Sequence, residues 1–222
     1  MWRQATQRLA PQVAVAAAAT RRCLHAGTNS GAASGAGAAA VPVRLIGDAA
    51  LRDGAEAVPS VHDAVVARDR AALHATLAAF RARHGFGRAI AAPQIGARWR
   101  MIALDLGGGS APFTMHNPVL LAPSADTFTM WDDCMSFPDY LVRVRRHDSV
   151  GVRYTDEGGR EVTRHGLPRA LSELLQHEVD HLDGVTSFDR AEGRGAVIHR
   201  AVYDAHRASF DAQVDYAIVP TL

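Results

Sequence analysis

Lysine is absent from this chain of 222 residues: all 24 of its Lys-plus-Arg positions are arginine. With the abundant alanine, that points to codon bias and not to chemistry. Cysteine is nearly absent too, with Cys23 and Cys134 alone. Were Cys23 lost with an N-terminal leader, no internal disulfide could form, leaving Cys134 as a buried hydrophobe, a reactive thiol or a metal ligand. No apolar run reaches the about 18 uninterrupted residues of a membrane span, so no membrane partner is expected. Acids are missing from the first 47 residues, which hold Arg3, Arg8, Arg21, Arg22 and Arg44. The remainder carries 19 Arg against 23 Asp and Glu, a net of −4 with His neutral. That part lacks the basic excess of a nucleic-acid binder, so no direct nucleic-acid contact is expected. Residues 1–40 read as a mitochondrial presequence and a Gly/Ala/Ser-rich linker, which predicts a matrix protein whose single domain spans residues 41–222.

The most informative stretch present is His177-Glu178-Val179-Asp180-His181. Residues four apart share a helix face, so both imidazoles can reach one ion. Glu178 then sits near any water that fills an open coordination position. The chemistry depends on the third ligand. One arrangement needs a histidine where Ser187 stands, and Glu192 lies too close to belong to a separate returning helix. His199 and His206 fall in what reads as an amphipathic surface helix. Cys134 is the better candidate, because a thiolate with two imidazoles leaves one position open for solvent.

Periodicity predicts a helix over residues 61–83, ended by Gly85 and Gly87. Strands are expected over 100–106, 116–121 and 149–154, with a return over 161–165 after the turn Asp156-Glu157-Gly158-Gly159. Pro168 suits the first turn of the helix that carries the HEVDH box, and Gly184 stops it. A last helix is expected over 196–210. Hairpins with segregated helices give an α+β class: antiparallel sheets around a central helix bearing the metal motif, with N- and C-terminal helices.

Three motifs in order carry a resemblance to a family. Gly87-Arg88-Ala89-Ile90-Ala91-Ala92-Pro93-Gln94, then Asp132-Asp133-Cys134-Met135-Ser136, then the HExDH box resemble those of peptide deformylases. Asn117-Pro118 and the run 166–176 are also similar, so the resemblance covers roughly residues 41–190. It implies one divalent ion on Cys134, His177 and His181, typically Fe(II), with Zn(II) or another divalent ion able to substitute. It further implies Glu178 as the proton acceptor from water, and Gln94 with the backbone N–H of Met135 as donors to the oxyanion. Asp180 would orient the structure around the helix. The substrate would be an N-formyl peptide, formate would be released, and the organellar ribosome is a further partner to expect.

The departures from the family lie around the substrate. Arg88 replaces an aliphatic residue, Ala89 a glycine, and Asp132-Asp133 the usual Glu-Gly pair. Glu173, beside Leu174, stands where an apolar residue lines the methionine pocket. Asp133 would crowd or recharge the cleft, while Arg88, Asp132 and Glu173 would pair with one another and weaken the preference for formylmethionine. The competing readings are another metal-dependent amidase or peptidase, and a non-catalytic relative that only binds.

Overall fold

The computed structural model describes residues 38–218. The presequence expected from the sequence, apart from the last residues of its linker, lies outside them. Helix α1 spans Ala64–His84, capped by the Asp63 carboxylate, which accepts from the amides of Val65 and Val66. It ends at Gly85, whose positive φ of 74° suits glycine. Val61 is buried but precedes the helix, because Asp63 starts it later than periodicity suggests.

Strands β1 (Ala89–Ala91), β2 (Met101–Leu104), β3 (Phe113–Leu121), β6 (Gly151–Thr155) and β7 (Glu161–Arg164) form one antiparallel sheet in the order β1-β2-β3-β6-β7. Both faces of β1 and β2 are covered. Ile90, Met101 and Ala103 pack against Leu73, Leu77 and Phe80 of α1. Ala89, Ala91, Ile102 and Leu104 pack with Leu174, Leu175, Val179 and Leu182 of helix α2 (Arg169–Leu182). Doubly covered strands show no polar alternation, which is why β1 escapes sequence reading. The register of β3 shifts between His116 and Val119, and the Asn117 side chain there bonds both N (2.7 Å) and O (2.9 Å) of Val58.

A second antiparallel sheet has the order β4-β5-β8, from β4 (Thr127–Asp133), β5 (Tyr140–His147) and β8 (Val197–His199). One face contributes Phe128, Met130, Val142 and Val144 to a core shared with Cys134. The other packs Trp131 and Leu141 on Tyr203. The single C-terminal helix expected over 196–210 is corrected: it is β8 followed by α3 (Arg200–Ala205) and α4 (Arg207–Asp211). Pairing of β8 with Tyr140, Leu141 and Val142 overrides the helical pattern, and the His199 side chain caps α3. Among the described residues no helix is long and apolar enough to cross a membrane.

Helix α2 is the axis of the site. Its residues from Ser172 to Leu182 are all buried, charged ones included. Buried charge is costly unless partners compensate it. The helix stops before Gly184, where a Cβ would stand 2.4 Å from the Arg52 carbonyl oxygen.

Candidate metal centre

One turn apart on α2, His177 and His181 place their rings 4.9 Å apart. Cys134 follows β4 directly and brings its Sγ within 3.2 Å of His181 Nε2. Ligand atoms of Cys134, His177 and His181 all lie within 4.8 Å of one another, and all three residues are buried. His199, the alternative ligand, is exposed and caps α3 instead. His206, the other alternative, is exposed too and ends α3. Gln94 Nε2 donates to Cys134 Sγ (3.4 Å) and Ser136 Oγ (3.2 Å), while its Oε1 accepts from the Ala91 amide (2.8 Å).

Asp132 sits behind the histidine pair. Its carboxylate bonds His177 Nδ1 at 2.9 and 3.0 Å, leaving Nε2 for the site. Arg146 Nη2 (3.1 Å) and Ser187 Oγ (2.9 Å) also donate to Asp132. Arg146 Nη1 reaches Asp180 at 2.5 Å, and Arg190 grips the same Asp180 carboxylate at 2.6 and 2.7 Å. A carboxylate on the distal nitrogen of a ligating histidine fixes tautomer and ring orientation. Asp132 plays that part for His177, while Asp180 ties helix α2 to Arg146 of β5 and to Arg190. Asp132 does not join an Arg88–Glu173 cluster, because His177, Arg146 and Ser187 take up its oxygens.

Electrostatics suit a cation. Burial alone would lower His177, but the charges of Asp132 and Cys134 carry it well above the ordinary histidine value. Those same negative groups favour a metal ion at the place a proton would otherwise occupy. Burial, then the charge of His177, holds His181 well below its ordinary value, so it offers a neutral lone pair. Burial pushes the Cys134 thiol up, with His177 opposing. Glu178 Oε2 is buried without a hydrogen-bond partner among the described residues, and burial lifts its carboxyl to about 7. The donor set of one sulfur and two imidazoles fits a divalent ion with an open position.

The centre opens into a cleft of about 320 Å³ lined by Arg88, Ala89, Gln94, Asp132, Asp133, Met135, Glu173, Leu174 and Glu178. Arg88 Nη2 pairs with Glu173 Oε1, and its Nη1 donates to the Ala170 carbonyl (3.0 Å). Burial raises Glu173 to about 7, partly offset by Arg88. Asp133 turns to Arg200, whose Nη2 donates to it at 3.0 Å. Sequence reading missed Arg146, Ser187 and the residues after α4 that reach the cleft. For Arg146 a signal existed: in β5 it shares the period of Val142 and Val144, which face the core.

Such a thiol–imidazole centre, with an unpaired carboxylate beside it, defines a metal-dependent hydrolase. The family model described as Polypeptide deformylase matches residues 40–196. The chain is 33% identical over 163 residues to peptide deformylase 2 of Gloeobacter violaceus, covering 72% of this chain and 83% of that one. The crystal structure of a peptide deformylase from Synechococcus elongatus in complex with actinonin is 31% identical with a TM-score of 0.59, covering 75% and 89%. The Met-Ala-Ser-bound structure of the class I type b enzyme from Acinetobacter baumannii is 27% identical with a TM-score of 0.60, covering 69% and 99%. This chain belongs to the peptide deformylase family, hydrolases that remove the N-formyl group from nascent peptides.

Proposed function

We propose that this chain deformylates peptides in the mitochondrial matrix, using Cys134, His177 and His181 as ligands and Glu178 as proton carrier. The observation that carries this reading is the convergence of the three ligand atoms within 4.8 Å beside the unpartnered Glu178 Oε2. Those three ligands would hold one divalent ion per chain, Fe(II) by preference with Zn(II) as substitute, which would supply the Lewis acidity that activates water near neutral pH. Glu178 takes the water proton at its carboxylate and passes it to the departing amine nitrogen. Gln94 Nε2 and the Met135 backbone N–H donate to the formyl oxygen as its charge grows. Asp132 holds His177 in the tautomer that turns Nε2 inward. The products are formate and a free N-terminal amine.

The acid-free, arginine-bearing segment ahead of the domain supports the mitochondrial placement, and with it nascent chains at the organellar ribosome as the source of substrate. A relative that binds Met-Ala-Ser supports a peptide in this cleft. The Arg88–Glu173 pair supports a weakened preference for methionine, since it sets charged groups in the cleft lining where a thioether side chain gains nothing from them. The test is a formate-release panel on anaerobically prepared protein. The double variant Arg88→Ile/Glu173→Ile is expected to raise kcat/KM on formyl-Met-Ala-Ser about tenfold, mostly through KM. Equal rates for the parent and the double variant would remove the case for altered preference.

A further inference from the structure

The residues after α4 lie beyond the matched span 40–196, yet they return to the cleft. Strand β4 is an edge of its sheet, and the tail meets that strand at Thr129 and Met130. Asp215 Oδ2 accepts from both the amide and the hydroxyl of Thr129, each at 2.9 Å. The amides of Asp215 and Tyr216 both donate to the Thr129 carbonyl at 3.1 Å, and Tyr216 bridges Met130 in parallel. The Tyr216 ring stands edge-on to Phe128, centroids 5.4 Å apart, and the Arg169 guanidinium lies 4.8 Å from one ring and 5.8 Å from the other. Tyr216, Ala217 and Ile218 share the cleft lining with Arg88, Glu173 and His177.

Tyr216 is only half buried, and it is an electrostatic neighbour of the Arg88–Glu173 pair. Burial raises its hydroxyl, Glu173 raises it further, and Arg88 opposes. An extended peptide that adds to a free strand edge places alternate side chains into the pockets beside that edge. Here the tail already takes part of the β4 edge, and a side chain directed at Arg88 and Glu173 must share that space with the phenol ring.

We propose that Tyr216, set in place by the Asp215–Thr129 clamp, is a specificity-determining residue that walls the pocket for the first side chain and favours short side chains over long unbranched ones. The proposal rests on the deformylase reading. Two measurements on the metal-loaded full chain keep the two apart: binding of the product peptides Ala-Ala-Ser and norleucyl-Ala-Ser, and formate release from their formylated forms. Tyr216→Ala is expected to raise the norleucine-to-alanine ratio of kcat/KM about tenfold through KM. Asp215→Ala should move the ratio in the same direction, and Tyr216→Phe should leave it unchanged, because the ring and not the hydroxyl forms the wall. Product-peptide affinities should follow the same ordering. An unchanged or falling ratio in Tyr216→Ala, even with lowered thermal stability, overturns the wall and leaves the tail a structural strap. Binding that switches preference without any formate release supports the wall and overturns the deformylase reading.

Discussion

Glu178→Gln is expected to lower kcat for formate release by about 10³-fold while the ion stays bound, the loss typical of removing a general acid–base group. The amide keeps the size and buried position of the side chain but cannot accept a proton. Glu178 has no ion-pair partner among the described residues, so the change leaves no opposite charge stranded. Burial already costs the charged carboxylate enough to lift it to about 7, so the variant should fold at least as stably as the parent. Metal content by elemental analysis and unfolding by circular dichroism separate this outcome from misfolding. Activity near the parent value with metal bound would show that the proton travels by another group.

Arg146→Met should cost about 3–5 kcal/mol of folding stability, read from urea unfolding of the metal-free chain near pH 7. The guanidinium is 3% exposed and bridges Asp132 and Asp180. Asp180 keeps Arg190 after the change, but Asp132 retains only His177 and Ser187 against its burial. In the parent, burial pushes Asp132 up, yet the charges of His177 and Arg146 bring it below the ordinary carboxylate range. A depressed folded pKa contributes stability that is complete above about pH 4 and is lost as the pH falls through the folded value. The variant's deficit should therefore shrink in acid. Metal affinity should weaken about 10- to 100-fold, because Asp132 without Arg146 holds His177 less firmly. A stability cost below about 1 kcal/mol would mean that the network does not hold the centre together.

The metal ligands were legible in the sequence because a four-residue spacing on a helix has one geometric meaning, and motif order supplied Cys134. What surrounds them was not. The partners of Asp132 come from β5 and from the turn at Ser187, far apart along the chain, and nothing local in Asp132 distinguishes a residue of the pocket from a support behind His177. Arg88 and Glu173 were expected to meet, and they do, because both flank the cleft from elements already placed by the motifs. The C-terminal helix failed for a physical reason: Val197, Ile198 and His199 gain strand pairing with β5 that outweighs their helical spacing. Tyr216 carried no signal, since a lone tyrosine outside any motif or periodic element looks like any other.

X-ray absorption on the anaerobically loaded protein tests the centre most directly. The account predicts one sulfur at about 2.3 Å and two imidazole nitrogens at about 2.0–2.1 Å from a zinc ion, with the sulfur shell lost in Cys134→Ser. A shell of nitrogen and oxygen alone in the parent would contradict it.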